Sequence, residues 1–389
     1  MEIEDIKNKK IGIFLNYVAC SPATELFMSF IGVALKNNNE IIVYYCDSNL
    51  SGCSFNPIKS RVLCNLCKKN VYHIKNKFEN NLVIKKIDLG LIDNEPYNEL
   101  NKMEFDMAAM SSIASLTKAI NDKELSDYWT KKLKEFKEDS QKLFTFFKFA
   151  IDKEKLEFLT CFNGRFFDSK PIIMSARTKN INFILLEVKK SENPVAFVNE
   201  LIHSINGNCS RAHKYYDKNP KLGNDLGNEF FKKKISQEKT GDPIYTIRQK
   251  QGLLPKYIEL NSKPLIVIYP TTDDEYKFIG KEWDGHVPED QVNEIRVICE
   301  ILKNFLIVVK MHPNQKFMTN MSLINYYKLE KDFSNCKVEK PDSKYDTYEF
   351  LKKAKYIITF ASTICIEAAY LKKKVINIGD ANFSKMNAT

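Results

Sequence analysis

Apolar positions along this chain of 389 residues alternate between two spacings. Short β-branched and aromatic runs read as buried strands, and longer stretches with apolar residues three and four apart read as helices. Residues 10–16 (KIGIFLN) form such a run. A helix is expected over about 23–36 and a second strand at 40–46 (EIIVYYC). Residues 100–156 are rich in Lys and Glu and apolar at helical spacing, which predicts two or more helices. Strands return at 156–162 and 181–188, with a helix-like stretch after Asn163-Gly164-Arg165, and 196–235 again reads as helical.

Residues 236–264 lack sustained periodicity and carry Gly241, Pro243, Gly252, Pro255 and Pro264, the punctuation of an interdomain connection. After it the pattern becomes regular. Strands are predicted at 265–270, 305–310, 355–360 and 374–378, with helices at about 289–303, 346–354 and 362–371. This alternation predicts α/β architecture with two doubly wound, Rossmann-like domains, an N-terminal one over 1–255 and a C-terminal one over 256–389. The last residues, GDANFSKMNAT, stop soon after a strand, where such a domain would add further helix, so a truncated C-terminal domain is expected. No internal repeat or low-complexity segment interrupts the pattern.

Composition changes this picture little. Hydrophobic residues at 44% and charged residues at 28% are those of a soluble globular protein. The formal net charge of +10 favours acidic partners such as phosphates, nucleotides, anionic polymers or an anionic membrane surface. Lys232–Lys234 and Lys372–Lys374 could meet lipid headgroups or an anionic acceptor, and solvated lysines are the plainer reading. Nucleic acid is not an expected partner, because no zinc finger, RRM signature or basic helix pattern occurs. The run 11–35 is the sole stretch resembling a membrane span, and Asn16, Ser21, Pro22 and Glu25 break it into strand, turn and helix. With no export signal, a cytoplasmic location and mostly reduced cysteines are expected.

Cys46, Cys53, Cys64 and Cys67 fall in one region that reads as a loop. CNLC there has the spacing of a zinc half-site, with His73 as a substitute ligand. The overall spacing is irregular, so free thiols are expected and structural zinc is the alternative.

In an open parallel sheet, ligands bind beyond the carboxyl ends of the strands. The strand-end loops of the second domain are therefore the informative ones: Thr271-Thr272-Asp273-Asp274-Glu275, Lys310-Met311-His312-Pro313-Asn314, Ala361-Ser362-Thr363 and Gly379-Asp380. Hydroxyl, cationic and imidazole groups in three of them can hydrogen-bond a phosphate or a sugar. Ser362-Thr363 also opens a helix, where free backbone N–H groups and the positive dipole end favour an anion. A plain helix cap is the alternative for Ser362. Glu367, just over one turn further on, can reach a ligand's hydroxyls or sit solvated. Asp273-Asp274 could suggest a metal, although adjacent loop carboxylates are more often solvated or capping.

The order VVKMHPN followed by KYDTYEFLKKAKYIITFASTICIEAAYLKKKVINIG resembles the donor-binding half of bacterial GT-B glycosyltransferases that build surface polysaccharides. The likeness is to the capsule and lipopolysaccharide group with an HP motif, among them Kdo-transferase-like and sialyltransferase-like proteins. FNGRFF (162–167) and ILLEV (184–188) resemble a segment from the N-terminal half of such proteins. The resemblance implies a GT-B-like pair of domains facing a central cleft. It implies that His312 contacts the donor phosphate beside Lys310 and Pro313, that Ser362 and Thr363 hold that phosphate, and that Glu367 bonds the ribose. Thr271 and Thr272 would line the opposite wall. Asn163, Arg165 and Glu187 would face the acceptor, with Glu187 as candidate base. The expected activity is metal-independent transfer of a sugar from a nucleotide-sugar, CMP-activated by slight preference, with no cofactor required. The acceptor would be an oligosaccharide or lipid-linked glycan, with peripheral contact at the inner membrane. Glycerol-phosphate transfer from CDP-glycerol, as in teichoic-acid polymerases, and a non-catalytic carbohydrate-binding or assembly protein are the alternatives.

Overall fold

A computed structural model describes residues 3–91, 97–187, 195–238, 249–280, 286–317, 320–381 and 383–386. The chain divides into two units, the first built mainly from residues up to Ile202 and the second from His203 onward.

The first unit runs β1 (Lys10–Phe14), α1 (Ser21–Lys36), β2 (Glu40–Tyr45), α2 (Arg61–Phe78), β3 (Leu82–Lys86), α3 (Glu99–Thr117), α4 (Asp127–Glu154), β4 (Phe158–Phe162), α5 (Lys170–Thr178), β5 (Asn182–Glu187) and β6 (Val195–Val198). Its sheet has the order β3-β2-β1-β4-β5-β6, parallel except for the antiparallel edge pair β5/β6. Every residue of β4 is buried, as is every residue of β1 after Lys10, because helices cover both faces of the sheet. Burial of each such aliphatic or aromatic side chain contributes about 1.5–3 kcal/mol. Asn16 extends β1 sideways: its amide nitrogen donates to the Phe162 carbonyl at 3.3 Å, and the Phe162 N–H donates back to its oxygen at 2.9 Å. The chain thus turns sharply at the carboxyl end of the two central strands.

The second unit adds α6 (Ile205–Lys218), α7 (Pro220–Ile235), α8 (Lys256–Glu259), β7 (Leu265–Tyr269), α9 (Asp273–Tyr276), α10 (Gln291–Ile301), β8 (Leu306–Lys310), α11 (Asn320–Asp332), β9 (Cys336–Glu339), α12 (Thr347–Lys353), β10 (Tyr356–Phe360), α13 (Ile364–Tyr370) and β11 (Val375–Ile378). Its sheet is fully parallel in the order β11-β10-β7-β8-β9. Strand order reverses at β7, so the crevice beyond β7, β8 and β10 is a topological switch point. Two Rossmann-like units are therefore present, as the hydrophobic pattern predicts.

The expected domain boundary at 255 shifts to after Ile202. Residues 203–235 belong with the second sheet because their side chains pack there: Phe231 stacks on Tyr370 with ring centroids 4.8 Å apart, and Ile235 joins the core around Val267 and Phe350. The expected interdomain connection, 236–264, falls partly outside the described residues, and within it Lys250 bridges to Tyr345. Among the described residues, no helix is long and apolar enough to cross a membrane.

Candidate functional site

The switch point of the second unit holds a cavity of about 130 Å³ whose lining includes Lys310, His312, Pro313, Ser362, Thr363 and Glu367. Six of the eight residues expected on the donor side thus meet at one place. The fold accounts for this, since β8 ends at Lys310, β10 ends at Phe360, and the two strands flank β7.

Lys310 is buried, with its ammonium donating to the Tyr345 carbonyl at 3.2 Å and lying 5.1 Å from the Phe350 ring centroid. Burial pushes its pKa down to about 8, against the pull of Glu339 and Asp346. An anion arriving beside it would favour the charged form further.

His312 is positioned by its own loop. Its backbone N–H donates to Gln315 Oε1 at 2.6 Å, while the Asn314 N–H donates to His312 Nδ1 at 3.2 Å. Burial pushes the imidazole down to about 4, Asp274 opposing and Lys118 adding to the shift. The ring is therefore neutral at pH 7, and with Nδ1 accepting, its proton sits on Nε2. Such a ring gives a ligand oxygen a hydrogen bond rather than a full charge.

At the end of β10, Ala361 adopts a left-handed backbone, φ +51°, unusual for a residue with a Cβ. That turn carries Ser362 and Thr363 to the cavity. Among the described residues, Thr363 makes no side-chain capping bond to α13, although it occupies the cap position. Glu367 is 4% exposed, with Tyr348 donating to Oε2 at 2.8 Å and Lys234 to Oε1 at 3.2 Å.

Three expectations are corrected. Thr271 and Thr272 are buried and lie outside the lining of this cavity. Gln291 holds that loop instead: its oxygen accepts from the Thr271 N–H at 3.0 Å, its amide donates to the Thr271 carbonyl at 3.3 Å, and it also donates to Asp273. Asp273 and Asp274 are not solvated either. Burial raises Asp273 to about 6, and Asp274 pairs with Lys118 at 2.6 Å. Lys234, finally, is not merely one of a run of solvated lysines, since the end of α7 brings it to Glu367.

In the first unit, Asn163, Arg165 and Glu187 meet beyond the ends of β4 and β5. Asn163 Nδ2 donates to Glu187 Oε2 at 2.7 Å, and the Arg165 guanidinium lies 4.7 Å from the centroid of the Phe166 ring. The turn needs Gly164, whose φ is +94° and whose position would bring a Cβ within 2.7 Å of Ile173 and 2.8 Å of Leu185. Tyr17, at the end of β1, joins the group. Its hydroxyl is pushed well up by burial, further by Asp168 and Glu187, and pulled back by Arg165.

The four cysteines line one small cavity of about 40 Å³ beside Tyr17 and Asn56. Cys64 and Cys67 are not on a loop as expected. They ride on α2, which buries only Val71 and Ile74 and so lacks a strong apolar signature. The Asn56 amide donates to Cys64 Sγ at 3.4 Å and its N–H to Cys53 Sγ at 3.2 Å. Burial raises the thiols of Cys46, Cys53 and Cys67, the last to about 12. His73 is exposed on α2 and outside this cavity. Among the described residues, no group of three or more His, Cys, Asp or Glu side chains is placed to hold a metal ion.

No protein-family profile matches the sequence, and no curated protein does so significantly. Solved structures that match this chain include two of Thermosulfurimonas dismutans KpsC. Its β-Kdo 2,4-transferase is 13% identical, with 61% of this chain and 73% of that one covered and a TM-score of 0.34. Its β-Kdo 2,7-transferase is 16% identical, with 64% and 72% covered and a TM-score of 0.32. A UDP-GlcNAc 2-epimerase from Neisseria meningitidis, bound to UDP-GlcNAc, is 11% identical over 94% of this chain and 81% of that one, with a TM-score of 0.22.

Proposed function

We propose that this chain is a GT-B-type glycosyltransferase that moves a sugar from a nucleotide-activated donor, CMP-activated by preference, to a growing bacterial surface polysaccharide. The observation that carries the reading is the convergence of Lys310, His312, Ser362, Thr363 and Glu367 on one cavity at the switch point of a parallel sheet.

In the reaction, the acceptor hydroxyl oxygen forms a bond to the anomeric carbon while the bond from that carbon to the donor phosphate breaks. The nucleotide leaves with the electron pair and gains negative charge. Donors already aimed at that charge lower the barrier, because they need not reorganise as it develops. His312 Nε2–H, the Lys310 ammonium and the hydroxyls of Ser362 and Thr363 are those donors, and Glu367 takes the ribose hydroxyls. These groups supply the stabilisation without a metal.

The acceptor proton passes to a base. Glu187 is the candidate, held by Asn163 at 2.7 Å, with Arg165 beside it orienting the acceptor. An oligosaccharide or lipid-linked glycan is the acceptor class this reading requires. A peripheral position at the inner face of the cytoplasmic membrane would suit a lipid-linked one.

Thermal-shift measurements with CMP, CDP, UDP and GDP test the proposal. Stabilisation by cytidine nucleotides, abolished in His312→Ala, is the expected result. No shift with any of the four overturns it.

A further inference from the structure

The far wall of the same cavity comes from the last turn of α7 and the residues that follow it, where Lys234 and Gln237 both face the strand-end loops. Three observations bear on this wall, and the first points to a ligand. The Gln237 amide nitrogen is buried and, among the described residues, has no hydrogen-bond partner, although the residue lines the cavity. An unanswered buried N–H donor is costly, so a site retaining one gains when an acceptor arrives. Gln237 also holds a left-handed backbone, φ +59°, where glycine would fit without strain. Lys234, lastly, grips Glu367 Oε1 at 3.2 Å while Tyr348 holds Oε2, so the carboxylate is fixed from two sides.

We propose that the carboxyl-terminal turn of α7 is a specificity element of this site. Gln237 donates its side-chain amide hydrogen to an acceptor oxygen of the bound nucleotide. Lys234 is a positioning residue that holds the Glu367 carboxylate where it meets the ribose hydroxyls. This inference rests on reading the cavity as a nucleotide site. It adds an element lying far from the HP and Ser-Thr loops in the sequence. Its chemical content is specific: the ligand must offer an acceptor oxygen to the α7 wall and a 2′-hydroxyl to Glu367.

Calorimetric titration of the full chain with CMP and with 2′-deoxy-CMP provides the test. Gln237→Gly relieves the backbone and removes the donor, so its thermal midpoint should hold or rise while CMP binds about fivefold to tenfold more weakly. Gln237→Glu keeps the shape, turns the donor into an acceptor, and should weaken CMP by tenfold or more. Wild type should prefer CMP over 2′-deoxy-CMP by about tenfold. Lys234→Met should shrink that preference towards unity, and Lys234→Arg should restore it. Wild-type CMP affinity in both Gln237 variants, or an unchanged ribose preference in Lys234→Met, overturns the inference and leaves the nucleotide site standing. Failure of the wild type to bind CMP at all overturns both.

Discussion

The Asn314 backbone N–H donates to Nδ1 of His312 at 3.2 Å, which fixes the ring as the Nε2–H tautomer facing the cavity. Burial holds that ring neutral down to about pH 4. The HP loop therefore presents a directed hydrogen bond, while positive charge comes from Lys310.

The state of His312 can be read directly. Nitrogen-15 spectra of the imidazoles should show one of the five histidines as Nε2–H with a midpoint near 4. The folded pKa lies below the unfolded value of 6.5, so the unfolded chain binds more protons between the two. The stabilisation from a neutral His312 is thus complete above pH 6.5 and is lost as pH falls towards 4. His312→Asn should remove that share of the acid sensitivity, on the order of 3 kcal/mol. A midpoint at 6.5 for all five rings contradicts the burial argument.

Lys310 should trade stability for binding. Its folded pKa of about 8 lies below the ordinary lysine value of 10.5, so the fold disfavours its charged form. That penalty is present below pH 8 and is relieved as pH rises from 8 to 10.5. Lys310→Met should hold or raise the thermal midpoint at pH 7 and weaken CMP binding tenfold or more. Wild-type affinity should fall as pH rises past the lysine's titration, and an affinity flat to pH 10 would exclude the ammonium from the site.

A buried ion pair in the first unit predicts strong non-additivity. Lys170 Nζ stands 2.9 Å from a Glu104 oxygen, with side-chain exposures of 3% and 7%. Lys170→Met strands a buried carboxylate and should cost about 3–5 kcal/mol. Adding Glu104→Leu should return most of that loss in denaturant unfolding. Equal losses in the single and double variants would contradict the pairing.

Ala361 holds φ +51° between β10 and α13. Ala361→Gly should raise stability by up to about 1 kcal/mol, because glycine adopts this backbone without strain. Ala361→Val, β-branched at the same angle and 1% exposed in the wild type, should destabilise by about 2 kcal/mol or more.

The central strands of both sheets were legible because buried parallel strands carry unbroken apolar runs, as in LIVIY at β7 and LIVVK at β8. Three peripheral strands were not. β3 (LVIKK) is half-exposed, β9 (CKVE) has two of its four residues only partly buried, both mix Lys or Glu into the run, and β6 is a short antiparallel edge. The site divides in the same way. Lys310, His312, Ser362 and Thr363 were legible because the strand-end rule is local. Lys234 was not, since its partner Glu367 is 133 residues away and a run of three lysines looks solvated. Gln237 gave no signal beyond following a helix. Thr271 and Thr272 were misplaced because the glutamine that pins them, Gln291, lies on another helix.

Titration of CMP into the wild-type chain and into His312→Ala at pH 7 tests the central claim most directly. The account predicts saturable, one-to-one binding in the wild type and at least a tenfold loss in the variant, with an unchanged far-ultraviolet spectrum. Equal affinity in the two proteins would contradict the assignment of His312 to the donor phosphate.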